Sequence, residues 1–120
     1  MDENRIDSIG NVLISEDVIA KIASTAALDV SGVASVIPKP SDIKNLFKSN
    51  NSSKSVMVVT KDTGMTIDIY LKLKAGIRIT DVALQVQEGI KEAVQNMTGR
   101  MINKVNVHIS DIVLKTPQKA

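Results

Sequence analysis

The stretch TIDIYLKL, residues 66–73, carries the clearest structural signal in the chain. Apolar and polar residues alternate along it without a break, and successive side chains of a β-strand point to opposite faces of a sheet. The stretch therefore predicts a strand with one face in the core and the other in water. The core face carries Ile67, Ile69, Leu71 and Leu73, and the wet face carries Thr66, Asp68, Tyr70 and Lys72.

Further strands are predicted on both sides of this one. The sequence VMVV at 56–59 precedes it, and a turn signal at 62–64 joins the two strands into a hairpin. Residues 105–110 alternate in the same way and predict a strand, and the apolar runs at 12–14 and 33–37 predict two short ones. The wet face of the 105–110 strand carries Asn106, His108 and Ser110.

Two helices are predicted from apolar residues that recur every three or four positions. The first begins after Ser15, whose hydroxyl is a favoured N-cap, and ends at residues 31–32. The second begins at Thr80, and Gly99 supplies the left-handed residue that often follows a helix. Its apolar stripe consists of Val82, Val86, Ile90, Ala93, Val94 and Met97.

These elements predict an α+β fold of two layers, in which two helices pack on one face of a small mixed sheet. The strands at 66–73 and 105–110 are joined through a helix, so we expect them to run parallel. A chain of 120 residues, 43% of them hydrophobic, fits a single domain over 1–120. Within it, the segment 38–55 is expected to be a flexible linker and both termini are expected to fray.

The composition argues against several kinds of catalytic site. The chain has no cysteine and one histidine, His108, and it contains neither G-x-G-x-x-G nor a Walker sequence. Asp68, His108 and Ser110 are predicted on one wet face, but Ser110 lacks the sharp turn and the oxyanion hole that a nucleophile needs. Simple polar alternation explains all three residues. We therefore predict no enzyme activity and no catalytic, cofactor or metal site.

Charge and hydropathy bear on the partners and the location. The chain has 15 basic and 13 acidic residues, a net charge of +2, and its lysines are mostly isolated rather than gathered in the stripe typical of nucleic-acid-binding proteins. A small RNA- or DNA-binding module that contacts phosphates is the alternative hypothesis. No run approaches the roughly 18 apolar residues of a membrane span, and the N-terminus is acidic. A cytoplasmic location is therefore expected.

Three stretches together resemble one protein family. They are ISEDVIAKIASTAALDVSGV at 14–33, IDIYLKLKAGIRITDVALQVQEGIKEAV at 67–94 and MTGRMINKVNVHISDI at 97–112. On these stretches the chain resembles the alkaline-shock, or general-stress, protein family of Gram-positive bacteria. The resemblance implies a non-enzymatic protein of the cell-envelope stress response. It also implies that the protein self-associates and is held at the inner face of the cell membrane by a membrane-embedded protein partner.

Two surfaces are predicted to carry these interactions. The helices leave the wet sheet face open, so we expect it to mediate self-association with Tyr70 as the anchor, because tyrosine is enriched among interface hot spots. A second segment, with apolar side chains among lysines, is expected at most to orient the chain at an anionic membrane. The sheet surface consists of Thr66, Asp68, Tyr70, Lys72, Asn106 and His108, and the segment contains Lys39, Ile43, Lys44, Leu46, Phe47 and Lys48.

Overall fold

The sheet is built around the strand that contains the alternating stretch. The computed structural model describes residues 10, 12–38 and 55–114, and in it this strand has a neighbour on each edge. Along the chain the elements are α1 (Glu16–Leu28), β1 (Val33–Val36), β2 (Val56–Lys61), β3 (Gly64–Lys74), α2 (Ile79–Thr98) and β4 (Ile102–Val113).

Strand β3 has two edges, and three strands share them. β4 runs parallel to β3 along one whole edge, with pairs from Met65–Ile102 to Lys74–Val113. On the other edge, β2 pairs antiparallel with the first half of β3 and β1 pairs antiparallel with the second half. The result is a mixed sheet that is three strands wide at any point along β3.

Helix α1 begins where its capping residue predicts. The Ser15 hydroxyl accepts a hydrogen bond from the backbone N–H of Val18 at 3.2 Å, which satisfies one of the free amides of the first turn. Its inward face consists of Ile19, Ala23 and Ala27, all fully buried. Two of these three side chains are single methyl groups, so the helix can lie close to the elements beneath it.

Helix α2 covers the same face of the sheet. Its inward side chains are Val82, Val86, Ile90 and Val94, and they share one core cluster with the buried residues of α1 and of β3. The helix ends at Gly99, whose φ of 73° lies in the left-handed region that glycine adopts at no steric cost. The predicted α+β class, the two helices on one sheet face and the parallel pairing of the joined strands are thus confirmed.

Two predictions about strands are wrong. Residues 12–14 form no strand, and Val12 and Leu13 are 88% and 89% exposed. A strand needs a neighbour that supplies hydrogen bonds, and residues 12–14 pair with no strand of the sheet. The last strand is also longer than predicted, because it extends from Ile102 to Val113 instead of covering only 105–110.

Strand β4 owes its length to two bulges. Its pairing with β3 skips Asn103 near the start and Ser110 near the end. Each bulge adds one residue to β4 without a partner on β3, and alternation resumes in register beyond it.

Most of the predicted 38–55 linker, residues 39–54, lies outside the described residues. Its last residue, Ser55, already belongs to the sheet, because its carbonyl accepts a hydrogen bond from the Tyr70 N–H at 3.1 Å.

Candidate functional site

The sheet face opposite the helices is the candidate site. The register pairs Thr66 with Lys104, Asp68 with Asn106, Tyr70 with His108, and Lys72 with Asp111 across β3 and β4. We call these eight residues the open face. All six residues of the predicted sheet surface belong to it, and their use in an interaction stays a prediction.

Three side chains at the centre of the open face form one cluster. The His108 imidazole stacks on the Tyr70 ring, with centroids 4.4 Å apart and planes 11° from parallel. His108 Nε2 lies 3.0 Å from Asp68 Oδ1, a hydrogen-bond distance. The side chains of His108 and Asp68 are 42% and 27% exposed, so the cluster is partly in contact with water. The stack and the hydrogen bond together orient the imidazole ring.

A fourth and a fifth side chain extend the polar surface along the strands. Lys72 Nζ lies 3.8 Å from Asp111 Oδ2, and both side chains are more than a third exposed. This pair exists because the bulge at Ser110 moves Asp111, instead of Ser110, into the position opposite Lys72. Sequence reasoning placed Ser110 on this face and missed Asp111, since simple alternation contains no signal for a bulge.

The open face lacks the arrangement that nucleophilic catalysis needs. Ser110 is the unpaired residue of the bulge, while the Asp68 carboxylate engages His108 directly. Among the described residues, no group of three or more His, Cys, Asp or Glu side chains could hold a metal ion. An aromatic pair surrounded by charged and amide side chains is instead well suited to contact another protein, because such a surface offers both an apolar centre and hydrogen-bonding groups.

A second surface feature is a groove between α1 and α2. It is a groove of about 560 Å³, and its residues include Gly89 and Met97. Met97 was predicted within the buried stripe of α2 but is 68% exposed, because the groove separates the two helices at this point and Met97 forms part of its wall. The other residues along the groove are Lys21, Ile22, Thr25, Ala26, Asp29, Val30, Glu92, Ala93 and Asn96.

The predicted membrane-orienting segment is not among the described residues. Lys39, Ile43, Lys44, Leu46, Phe47 and Lys48 all lie outside the described residues. Within the described part of the chain, neither helix combines the length and the apolar composition needed to cross a bilayer.

Comparison with known proteins identifies relatives along most of the chain. A family model for the alkaline shock protein 23 family, described as having a cell envelope-related function, matches residues 4–114. The uncharacterized protein YqhY of Bacillus subtilis (strain 168) is 38% identical over 109 residues, which are 90% of this chain and 81% of YqhY. The uncharacterized protein Spy1535 of Streptococcus pyogenes serotype M6 is 34% identical over 112 residues, which are 92% of this chain and 85% of Spy1535.

Solved structures share the fold at low sequence identity. A variant of the MamM CTD superimposes with a TM-score of 0.50 and 16% identity, covering 80% of this chain and 95% of that one. At this level of identity the likeness shows a common arrangement of helices and strands, and function has to be argued from the site itself.

Proposed function

We propose that this chain, which belongs to the alkaline shock protein 23 family and shares its cell envelope-related function, is a non-enzymatic scaffold protein of the envelope stress response that self-associates through its sheet. The observation that carries the proposal is the open face, a sheet surface that no other element of the described chain covers. The relatives in Bacillus and Streptococcus are consistent with a Gram-positive role.

The composition of the open face supports a protein partner. Its central Tyr70–His108 stack offers an aromatic surface, and Lys72 and Asp111 offer one charge of each sign at the margin. A surface that carries both signs is complementary to a second copy of itself, because each positive group can approach a negative group of the other copy. Tyr70 is the expected anchor, since buried tyrosines carry much of the energy of protein interfaces.

The same contacts argue for a scaffold rather than an enzyme. Asp68 engages one ring nitrogen of His108, and a general base would also need a nucleophile at the other. The hydroxyl that alternation predicted there, Ser110, belongs instead to the unpaired residue of the bulge. Histidine and aspartate on neighbouring strands of a partly wet face are also what ordinary polar alternation produces. We therefore assign the cluster a role in shaping the surface.

Location at the membrane, in this proposal, depends on a membrane-embedded protein partner. Residues 39–54 hold four lysines and one aspartate, together with three large apolar side chains. A basic residue near an anionic surface contributes about 1 kcal/mol, and stable anchoring without a span requires a long apolar helix face or a lipid chain. This segment is too short for that, so a cytoplasmic protein tethered by another protein is the consistent arrangement.

Self-association can be tested through the anchor residue. We expect the full chain to associate at tens of micromolar, and Tyr70→Ala to raise the dissociation constant roughly thirtyfold, the effect of losing a hot spot worth about 2 kcal/mol. Light scattering over a concentration series measures both. Leu28→Ala is the matched control, because Leu28 is 51% exposed on α1, on the opposite side of the molecule from the open face. A wild-type chain that stays monomeric at these concentrations contradicts the proposal.

A further inference from the structure

Within the described residues, no strand pairs with the outer edge of β4. The Tyr70 N–H donates to Ser55 and the Tyr70 carbonyl accepts from Ile37, so the peptide groups of this residue point away from β4. Those of its neighbour Ile69 therefore point towards β4. In a parallel pair, when the peptide groups of one residue point towards the partner strand, the residue opposite it directs its own N–H and C=O away from the first strand. Ile69 lies opposite Val107, so the peptide groups of Val107 point outward, and by alternation those of Val105 and Ile109 do too.

Helix α2 covers only the beginning of this edge. The Gln95 Oε1 atom accepts from the Ile102 N–H at 3.2 Å, and Gln87 Nε2 donates to the Val105 carbonyl at 3.1 Å. The second bond independently confirms that the Val105 carbonyl points away from β3. Within the described residues no hydrogen bond reaches the outward groups of Val107 or Ile109. Unpaired edge groups of this kind are a template for another strand.

We propose that a second copy of this chain pairs antiparallel along this edge, with a two-fold axis at Val107 that joins the two sheets into one. The inference rests on the proposed self-association and names a contact for it that is separate from Tyr70. An isologous contact of this kind closes on itself and yields a dimer. The bulges at Asn103 and Ser110 bound the straight part of the edge, so the regular hydrogen-bonded pairing covers about five residues per copy, 105–109. Within it the Ile109 N–H of the second copy shares the Val105 carbonyl with the Gln87 amide.

The side chains along the edge are complementary under this symmetry. Antiparallel pairing about Val107 places Asn106 opposite His108 of the second copy, an amide beside an imidazole. Beyond these residues the Ser110 bulge brings Asp111, instead of Ser110, onto the open face, and this places Asp111 opposite Lys104 of the second copy. Two opposite-charge pairs therefore form, one on each side of the axis.

An exposed leucine adds an apolar contact beside the axis. Gln95 lies against Ile102 and Gln87 against Val105, so α2 runs opposite to β4 along this edge. Leu84 precedes Gln87 by three positions and hence lies on the same side of α2. From the direction that these two contacts set, we expect Leu84 to lie near Val107. Leu84 is 55% exposed. Two-fold pairing brings the Leu84 side chains of both copies towards each other and removes them from water.

Charge reversal tests this arrangement in the full chain. Lys104→Asp and Asp111→Lys each place like charges opposite one another in a homodimer, and we expect either variant to raise the dissociation constant roughly tenfold. An equimolar mixture of the two single variants restores both opposite-charge pairs, so we expect heterodimers of near wild-type affinity in sedimentation or light scattering. The mixture also controls for the loss of the Lys72–Asp111 contact, because the Asp111→Lys chain lacks that contact in the homodimer and in the heterodimer alike. Failure of the mixture to recover association overturns the proposed register.

A proline substitution tests the edge hydrogen bonds. Val107→Pro removes an N–H that points away from β3, so the ladder within the chain is kept, and we expect association through this edge to be lost. Val107→Thr keeps the N–H and is the matched control, and thermal melting verifies that both variants fold. If Val107→Pro associates like the wild type while Tyr70→Ala does not, the edge contact is wrong and the proposed self-association stands. If the wild type is monomeric, both are wrong.

Discussion

At the scale of single residues, the open face is organised by His108. Its ring is held between a stacked tyrosine on one side and an aspartate oxygen 3.0 Å from Nε2. Both contacts come from β3, whereas His108 belongs to β4, so the cluster ties the two parallel strands together on the side that the helices leave uncovered. This gives the cluster a structural role whether or not a partner binds there.

The two contacts of His108 can be separated by substitution. His108→Ala removes the stack and the hydrogen bond, and we expect it to lower the free energy of unfolding by about 1–3 kcal/mol, since each contact contributes about 0.5–1.5 kcal/mol. His108→Phe keeps a ring on Tyr70 and should lose only part of this. Urea unfolding of both variants against the wild type measures the difference. Equal losses in the two variants mean that the stack contributes nothing.

At the scale of elements, two glycines have opposite roles. Gly32 follows α1 with φ of +104°, and a Cβ added there would lie 2.9 Å from Val82 Cγ2 of α2. Its carbonyl also accepts from the Lys74 N–H at 2.8 Å, which ties the end of α1 to β3. Gly89 lies within α2, and a Cβ there would meet no atom within 4 Å. The first glycine is required by the packing of the two helices, and the second is not.

Alanine at each of these glycines is expected to change stability in opposite directions. Gly32→Ala forces a left-handed backbone on a residue with a Cβ and pushes it against α2, so we expect a loss of roughly 1–3 kcal/mol. Gly89→Ala should gain up to about 1 kcal/mol, because alanine favours the helix interior. Thermal or urea unfolding provides the comparison. A gain at Gly32, or a loss at Gly89 in the absence of any ligand, contradicts the packing described for α2.

At the scale of the whole molecule, the proposed function assigns contacts with other proteins to one part of the chain, and the segment considered for contact with lipid is a different one. Within the described residues, the open face is the surface proposed to contact other proteins, and the outer edge of β4 is the proposed dimer contact. The segment whose composition best suits contact with lipid is 39–54. It carries four lysines but only three large apolar side chains, which are too few to anchor it in a bilayer. A membrane location that depends on a protein partner is therefore expected to disappear once the protein is purified.

Binding to lipid vesicles tests that dependence. We expect purified full-length protein not to sediment strongly with anionic liposomes at physiological salt. Strong binding that is abolished by Phe47→Ala combined with Lys44→Glu and Lys48→Glu would show that the segment is itself the anchor. Lys115→Glu with Lys119→Glu is the charge-matched control, since it reverses two lysines outside the segment. Binding lost equally in both variants indicates a general charge effect rather than an anchor.

The elements themselves were predictable because their signals are local. Alternation at 66–73 identified β3 and the side chains on each of its faces, and the Ser15 cap and the glycine at 99 located one end of each helix. Parallel pairing followed from the intervening helix. The apolar run at 12–14 predicts a strand that does not form, because a strand also depends on a partner strand beside it, and no local pattern reports which segments become neighbours.

The α+β class, the wet side of β3 and most of the buried face of each helix, with Met97 as the exception, could thus be predicted from the chain alone. Periodicity and capping act within a few residues, whereas which polar residues meet depends on tertiary packing. The bulge at Ser110 brings Asp111 opposite Lys72, and the two helices border a groove that neither apolar stripe predicts. Each of these depends on register and spacing between elements far apart in the sequence, and that geometry is set only when the sheet and helices pack together.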